Sequence, residues 1–375
     1  MKIFYLSNIR FPTEKAHGIQ IAKMCESFSL GNEVVLIIPW RFNYIKEDAF
    51  DYYDIEKNFK IIKLPSLDLI ILNIPKIGFI IQSLTFSVSA FIYFLFKKTD
   101  IIYTRDLLLA WLLSFIKKNV FLEIHTLPFW LNKQKLKRIK GFIVITDSIK
   151  SELIKKGIAR DKILIAPDGV DTRQFDIKIS KKKARQRLSL PLNKRIILYT
   201  GHLYKWKGVY ILAEAVRFLS DDCLIVLVGG TKDDEKKFRI KNQKLNNIMI
   251  VGHRSHSEIP YWLKAADVLI LPNSSKENIS KYWTSPMKMF EYMSSRRPIV
   301  ASSLPSVREV LDENNAILVK PDSPINLVKG IEKALKNTNF SVMISKKAIK
   351  DVRKYEWEIR KCKIIEFINK FSYFR

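Results

Sequence analysis

The sequence predicts an α/β fold made of two doubly wound domains. Short runs rich in β-branched and apolar residues alternate with helix-length segments along almost the whole chain, which is typical of βα repeats. Several runs are apolar throughout, as expected of parallel strands covered on both faces. At 375 residues the chain exceeds what one hydrophobic core usually serves, so two domains are expected.

Thirteen strands are predicted, in two series. The first series is Lys2–Leu6, Val34–Ile38, Lys60–Leu64, Ile101–Tyr103, Val120–Ile124, Phe142–Ile145 and Ile163–Ala166. A polar, basic stretch then predicts a linker over residues 167–193. The pattern resumes with Arg195–Tyr199, Leu224–Val228, Ile248–Val251, Val268–Leu271, Pro298–Ala301 and Ala316–Val319. Ligands of such sheets bind beyond the carboxyl ends of the strands, so the loops there are expected to carry the chemistry.

The composition narrows the class of partner. A formal charge of +28 predicts attraction to nucleic acid, phosphorylated substrates or an anionic membrane. No nucleic-acid-binding motif accompanies it, and no basic run is interleaved with stacking aromatics. The three cysteines, Cys25, Cys223 and Cys362, are far apart and odd in number, which favours a reducing, cytoplasmic compartment.

Two stretches bear on membrane location. The start, MKIFYLSNIR, lacks the charged head, apolar stretch and cleavage site of a signal peptide, so none is predicted. Ile77–Phe96 is twenty residues long and uncharged, which meets the length test for a membrane span. Serines, a threonine and Gln82 interrupt it, and a strand follows it. A helix packed on a sheet, with one apolar face touching lipid, is therefore favoured over a span.

Three loops are candidates for function. Ser7–Gly18 follows the first strand and leads into a helix predicted from about Ile19. Thr200–Gly208 follows a strand of the second domain, and Gly201 and Gly208 bracket Lys205 and Lys207. A lysine between glycines at a helix entrance predicts a phosphate-binding loop.

The third loop leads into the most informative helix. Thr284–Ser285–Pro286 predicts a helix start with a hydroxyl cap and proline in the first turn. Exposed N–H groups at residues 285–288 would form an anion pocket. Lys288 and Glu291, three residues apart, would lie close together on the helix. A carboxylate at Glu291 can accept hydrogen bonds from both hydroxyls of a diol.

In their order and spacing these segments resemble the retaining GT-B glycosyltransferases of the large bacterial group 1 family, which include mannosyltransferases. Ala16–Ile19 resembles the first-loop glycine region, and Gly201–Gly208 the phosphate-binding loop. Ser285–Ser302 resembles the second half of the Glu-x-seven-Glu motif. Tyr355–Ile368 resembles a final helix that crosses back to the first domain. The resemblance implies two Rossmann-like domains facing a central cleft: residues 1–170 on the acceptor side, with the helix of about 356–375, and residues 171–355 binding the nucleotide-sugar.

The resemblance also implies roles for single residues. Glu291 would hold the ribose, and Lys207 would neutralise the diphosphate in the transition state. His125 would lie near the transferred sugar, and Gly18 near the reacting centre. The remaining donor contacts implied are Gly201, His202, Lys205, Ser285, Pro286, Met287 and Lys288. No metal or other cofactor is expected, since no Asp-x-Asp signature is found; the donor would be a UDP- or GDP-sugar.

Two departures from the family pattern leave the sugar open. Trp283 stands where the first glutamate of the motif is expected, and His202 stands where an arginine is expected beside Gly201. Three alternatives to a glycosyltransferase remain: a nucleotide-sugar epimerase of the same fold, a non-catalytic scaffold at the membrane surface, and a basic nucleic-acid-binding protein. The favoured function is transfer of a hexose to a cell-envelope polysaccharide, a lipid-linked acceptor or another glycan, at the inner face of the cytoplasmic membrane.

Overall fold

A computed structural model of the chain describes residues 1–69, 75–127, 133–243 and 245–372. The chain forms two compact units. The first unit comprises Met1–Asp168 and Trp357–Arg375, and the second is the continuous segment Gly169–Glu356. Residues 373–375 of the predicted last helix lie outside the described residues.

The first unit is built on a parallel sheet of seven strands in the order β3-β2-β1-β4-β5-β6-β7. The order reverses between β1 and β4, which makes the sheet doubly wound. Buried aromatic side chains fill its core, and the rings of Tyr5 and Tyr103 meet edge to face at 5.0 Å. The strands are β1 Lys2–Leu6, β2 Glu33–Pro39, β3 Lys60–Leu64, β4 Ile101–Thr104, β5 Val120–Ile124, β6 Gly141–Val144 and β7 Ile163–Ile165.

Seven α-helices of the described residues belong to this unit. Six follow the strands in chain order, and the seventh belongs to the segment that returns after the second unit. This returning helix packs against the first helix and β6. The helices are α1 Ala16–Ser29, α2 Ala49–Tyr53, α3 Pro75–Leu95, α4 Leu107–Leu113, α5 Lys133–Leu136, α6 Asp147–Lys155 and α17 Trp357–Ser372.

The second unit repeats the plan with six parallel strands in the order β10-β9-β8-β11-β12-β13. Here the reversal falls between β8 and β11. The strands are β8 Arg195–Thr200, β9 Cys223–Val228, β10 Ile248–Gly252, β11 Val268–Leu271, β12 Ile299–Ser302 and β13 Ile317–Val319. The helices are α7 Thr172–Phe175, α8 Lys181–Arg187, α9 Val209–Ala215, α10 Lys232–Asn242, α11 Ile259–Ala265, α12 Asn278–Lys281, α13 Met287–Ser294, α14 Pro305–Arg308, α15 Pro324–Lys336 and α16 Thr338–Asp351.

The predicted strands are confirmed, each within one residue of its observed ends. The linker predicted over residues 167–193 is wrong. That stretch enters the core of the second unit through Val170, Phe175, Ala184 and Leu190, which are all buried. It is polar on average because α7 and α8 each turn only one side inward, and the other side chains of these two helices are polar or basic.

The apolar stretch at Ile77–Phe96 forms α3 and the residue that follows it. By length and composition, Lys76–Leu95 is the one helix of the described residues that could cross a membrane, with a mean hydropathy of 1.7 and 33% of that stretch buried. Its inner side packs on the sheet, where the rings of Phe94 and Phe4 lie 5.3 Å apart.

Candidate functional site

The loops after β8 and β11 touch each other at the point where the strand order of the second sheet reverses. Gly208 closes the turn Lys205–Lys207 with φ +73. A Cβ on Gly208 would lie 1.7 Å from the carbonyl oxygen of Pro272, the residue after β11. Only glycine fits both the backbone conformation and this approach. The phosphate-type loop predicted from the sequence therefore lies at the crevice where doubly wound sheets bind ligands.

Two lysines converge at the start of this loop. A Cβ placed on Gly201 would lie 3.9 Å from Nζ of Lys288 and 4.0 Å from Nζ of Lys207. Lys288 is buried; its Nζ donates to the carbonyl oxygen of Thr200 at 3.1 Å and lies 3.7 Å from the ring centre of Tyr199. Two ammonium groups are thus held over one backbone position.

The charges on these lysines are poorly compensated. Burial lowers the pKa of Lys207 to about 8. Burial, and then the ammonium of Lys207, lower the pKa of Lys288 well below its usual value. Desolvation and like charge both disfavour the protonated form. An anion placed here would relieve both effects, so the pair is a candidate site for a negatively charged ligand.

Glu291 lies on the same helix as Lys288, three residues further along. Its carboxylate is largely buried and accepts from, or pairs with, Nε2 of His256 at 3.0 Å. The other ring nitrogen of His256 lies 3.5 Å from the amide nitrogen of Gln174. Ring and carboxylate therefore hold each other in place.

The turn before Glu291 differs from its prediction. The helix α13 begins at Met287, with Pro286 at the capping position and no side-chain cap. The sequence predicts a hydroxyl cap from Thr284 or Ser285. Pro286 occupies the capping position instead, and it has no side-chain oxygen that could accept a hydrogen bond from the first turn. Ser285 is buried, whereas Pro286, Met287 and Trp283 are half-buried.

The two other predicted donor contacts in the Gly201–Gly208 loop, His202 and Lys205, have different surroundings. The ring of His202 stacks on Tyr204 with centroids 4.9 Å apart and planes 3° from parallel, and its Nδ1 lies 3.4 Å from a carboxylate oxygen of Asp234. Lys205 is exposed. His202 is thus oriented by its neighbours, whereas Lys205 is a solvated side chain at the rim.

His125 belongs to the first unit, where it ends a buried polar network at the carboxyl end of β5. Its Nε2 lies 2.5 Å from Oε1 of Glu123. Arg360 of α17 donates to the same oxygen at 3.0 Å. Although burial opposes ionisation of Glu123, the guanidinium of Arg360 and then His125 hold its pKa well below the usual range. Burial, followed by the charge of Arg105, lowers the pKa of His125.

Gly18 also lies in the first unit, within a helix that begins earlier than predicted. The helix α1 begins at Ala16, before Gly18 rather than after it, and the N–H of Gly18 donates to the carbonyl oxygen of Lys15 at 2.9 Å. A Cβ here would lie 2.0 Å from the hydroxyl of Tyr53. That hydroxyl accepts from the N–H of Thr13 and donates to its carbonyl oxygen. Packing against Tyr53 accounts for this glycine.

One group of side chains in the described residues has the make-up of a metal site. Glu123, His125 and Asp168 each offer an atom within 4.8 Å of the others. The same oxygen of Glu123 already serves Gln20, His125 and Arg360. Because a guanidinium already neutralises this carboxylate, the donor set does not fit a cation well.

Two residues that shape the candidate site, His256 and Tyr292, are not predicted from the sequence. His256 follows β10, and only its place beyond the carboxyl end of a strand could have suggested it. Tyr292 hydrogen-bonds through its hydroxyl to the N–H of Thr200 at 2.8 Å, which fixes the end of β8. Of the eleven predicted site residues, Gly18 and His125 lie in the first unit, and the other nine lie in the second.

Comparison with known proteins bears on the fold and on the class of protein. Residues 180–351, which make up most of the second unit, match the family model described as Glycosyl transferases group 1. In Bacillus subtilis, a candidate teichuronic acid biosynthesis glycosyltransferase, TuaC, is 26% identical over 190 residues, which are 50% of this chain and 46% of that protein. The chain therefore matches about half the length of this relative.

Two further proteins extend the comparison. The UDP-Gal:alpha-D-GlcNAc-diphosphoundecaprenol alpha-1,3-galactosyltransferase of Escherichia coli is 28% identical over 152 residues, 38% of this chain and 37% of that one. The crystal structure of Anabaena HepE in complex with UDP-glucose has a TM-score of 0.77 at 16% identity, covering 99% of this chain and 100% of that one. The fold is thus that of GT-B proteins, and the matches support a group 1 glycosyltransferase.

Proposed function

We propose that this protein is a glycosyltransferase that moves a hexosyl group from a nucleoside diphosphate sugar to a cell-envelope or lipid-linked glycan. The observation that carries the proposal is the convergence of Lys207 and Lys288 on Gly201, with Glu291 three residues along the same helix. Two cations suit a diphosphate, and a carboxylate suits the ribose diol. The UDP-glucose bound by HepE supports a uridine donor, with a guanosine donor as the other candidate.

The proposed chemistry is transfer with retention and without a metal. The bond between the anomeric carbon and the diphosphate oxygen breaks, and a bond from an acceptor hydroxyl to that carbon forms on the same face of the sugar. The hydroxyl proton passes to the departing diphosphate. Lys207, Lys288 and the N–H groups that begin α13 stabilise the negative charge that develops there, as preorganised donors do. We assign acceptor recognition to the first unit and the donor to the second.

The proposed location is the inner face of the cytoplasmic membrane, where the protein is bound peripherally. The charge of +28 supports this location, since each basic residue near an anionic surface contributes about 1 kcal/mol. The lipid-diphosphate acceptor named for the Escherichia coli relative supports an acceptor presented there.

Incubation with a panel of UDP-, GDP- and ADP-sugars tests the proposal. With a glycan or lipid-linked acceptor, one donor is expected to yield a nucleoside diphosphate and an α-linked product from an α-linked donor. EDTA is expected to leave the rate unchanged. A sugar altered in the absence of any acceptor would instead establish an epimerase. Failure of every donor to raise the melting temperature would contradict nucleotide-sugar binding altogether.

Glu291→Ala is expected to weaken donor binding by roughly 10- to 100-fold, because a hydrogen-bonding carboxylate contributes about 1.5–3 kcal/mol. Calorimetric titration with UDP measures the change, and Glu332→Ala, on α15 with a side chain that is 45% exposed, is the control. Equal loss with uridine-free pyrophosphate would show that Glu291 does not contact the ribose.

UDP binding is expected to weaken with rising pH above about 8. Burial lowers the pKa of Lys207 to about 8, so the empty site loses this proton as the pH passes 8, whereas a bound diphosphate restores it. For one coupled proton the Kd rises up to about tenfold per pH unit. The terminal phosphate ionises near pH 6 and does not contribute in this range.

Calorimetry at pH 8.5 (about half a unit above the pKa) in two buffers of different ionisation enthalpy measures the proton uptake directly. Lys207→Met is expected to bind more weakly and to lose most of this pH dependence. A wild-type Kd that stays flat between about pH 7 and 9 would contradict the contact between Lys207 and the diphosphate.

A further inference from the structure

The outer side of α3 carries a stripe of apolar side chains that the described part of the first unit leaves exposed. Six residues recur at spacings of three and four along the helix, which places them on one face. Each is between 43% and 60% exposed. We define the apolar face of α3 by these residues: Ile77, Ile80, Leu84, Val88, Ile92 and Leu95.

The opposite side of the same helix is firmly packed. Phe86, Ala90 and Phe94 are fully buried. Ser83 accepts from the side-chain amide of Asn8 at 2.8 Å, and Thr85 accepts from the N–H of Leu67 at 3.0 Å. A helix held on a sheet in this way is not free to cross a bilayer, so its apolar face can meet lipid only along its length.

Two exposed residues, Trp40 and Leu67, extend the apolar face of α3 at one flank. A groove of about 470 Å³ runs beside α3 between Thr85 and Ser89 on one side and Trp40 and Leu67 on the other. Trp40 is 63% exposed and Leu67 is 59% exposed. Tryptophan is enriched at the level of lipid headgroups, and the exposed patch is larger than the isolated apolar residues of ordinary surfaces.

The charges around the apolar face of α3 indicate which kind of partner covers it. Lys76, Lys97 and Lys98 flank its two ends and are exposed, and Lys63 lines the groove. No acidic residue occurs from Pro75 to Lys98. A second copy of the chain would bring the same lysines against these, which like-charge repulsion opposes. An anionic lipid surface satisfies both the lysines and the apolar side chains.

We propose that the apolar face of α3, with Trp40 and Leu67, docks the first unit on an anionic phospholipid bilayer, with the helix lying in the plane of the interface. This inference rests on the membrane location proposed above and not on the transfer reaction. Its test omits nucleotide and acceptor, so failure of binding and failure of catalysis are distinguished.

Sedimentation with vesicles tests the proposal, using the full chain at increasing salt. Binding is expected to vesicles of mixed phosphatidylglycerol and phosphatidylcholine and to be at least tenfold weaker to phosphatidylcholine alone. Leu84→Gln/Val88→Gln is expected to lower the partition coefficient about tenfold or more, because two apolar side chains no longer enter the interface. Lys97→Glu/Lys98→Glu is expected to lower it at least as much.

Matched controls are available on the second unit. Val342→Gln/Met343→Gln removes apolar residues that are 47% and 55% exposed, and Lys182→Glu/Lys183→Glu changes exposed lysines of α8. The apolar pair is expected to leave binding within twofold, and the lysine pair to weaken it less than Lys97→Glu/Lys98→Glu. Unchanged melting temperatures of all four variants show that they are folded.

Three results would overturn the proposal. The first is equal binding by Leu84→Gln/Val88→Gln and its control. The second is retention by membranes that resists both salt and alkaline carbonate, which indicates a spanning helix. The third is a wild-type dimer by light scattering that becomes a monomer in Leu84→Gln/Val88→Gln, which indicates that a second copy covers the face.

Discussion

Lys207→Ala is expected to lower kcat by roughly 10²- to 10³-fold, with a smaller change in KM. Its ammonium converges with that of Lys288 on Gly201, where the leaving diphosphate gains charge in the proposed reaction. Removing one preorganised donor of this kind has an effect of this size. Steady-state kinetics with the preferred donor measure the loss. Lys205→Ala, in the same turn but exposed, is expected to lose much less.

Lys207→Ala is expected to lower activity without lowering the stability of the folded protein. Burial lowers the pKa of Lys207 to about 8, which means that the empty folded protein disfavours the charge near neutral pH. Lys207→Ala is therefore expected to melt at the same temperature as the wild type or higher, while the stabilisation by UDP is reduced. A melting temperature that falls together with kcat would indicate a structural role for Lys207. Lys182→Ala, on an exposed face of α8, is the control.

Arg360→Met is expected to destabilise the first unit by about 3–5 kcal/mol, since it leaves the fully buried carboxylate of Glu123 without its main counter-charge. Besides Glu123, Arg360 serves the carbonyl oxygens of Ala166 and Pro167 at 3.2 and 2.8 Å. Urea unfolding followed by circular dichroism measures the change. Lys363→Met, exposed on the same helix, is expected to change stability by less than about 0.5 kcal/mol.

The pH dependence separates loss of the ion pair from loss of packing. Arg360 holds the pKa of Glu123 well below its usual range, so the pair stabilises the fold above the unfolded value of about 4.3 and this contribution is lost as pH falls through the folded pKa. In Arg360→Met the buried carboxyl protonates more easily, so its deficit is expected to shrink towards pH 5. Glu123→Gln/Arg360→Met should recover part of the stability; a deficit independent of pH would implicate packing alone.

The strands of both sheets could be predicted from the sequence because parallel strands are apolar on both faces and so stand out as continuous runs. The loop at Gly201–Gly208 could be predicted because a glycine must end it. Features that depend on distant residues could not be predicted. Gly18 is explained by Tyr53, and Glu291 is held by His256 from another loop, with no local signal for either pairing.

The predicted hydroxyl cap of α13 and the predicted linker before β8 are wrong for a related reason. A proline and two hydroxyls fit more than one capping arrangement, and the choice depends on how the turn packs. Similarly, α7 and α8 consist mostly of polar and basic residues with few apolar ones, so their contribution to the core is visible only once the sheet beneath them is known.

The pairing of Glu123 with Arg360 has a consequence for the order of folding during synthesis. The two residues are 237 positions apart, and the whole second unit lies between them. A growing chain can complete the second unit, which is continuous, before α17 has left the ribosome. The first unit has all seven strands early, yet we expect it to wait, incompletely closed around an uncompensated carboxylate, until the last helix arrives.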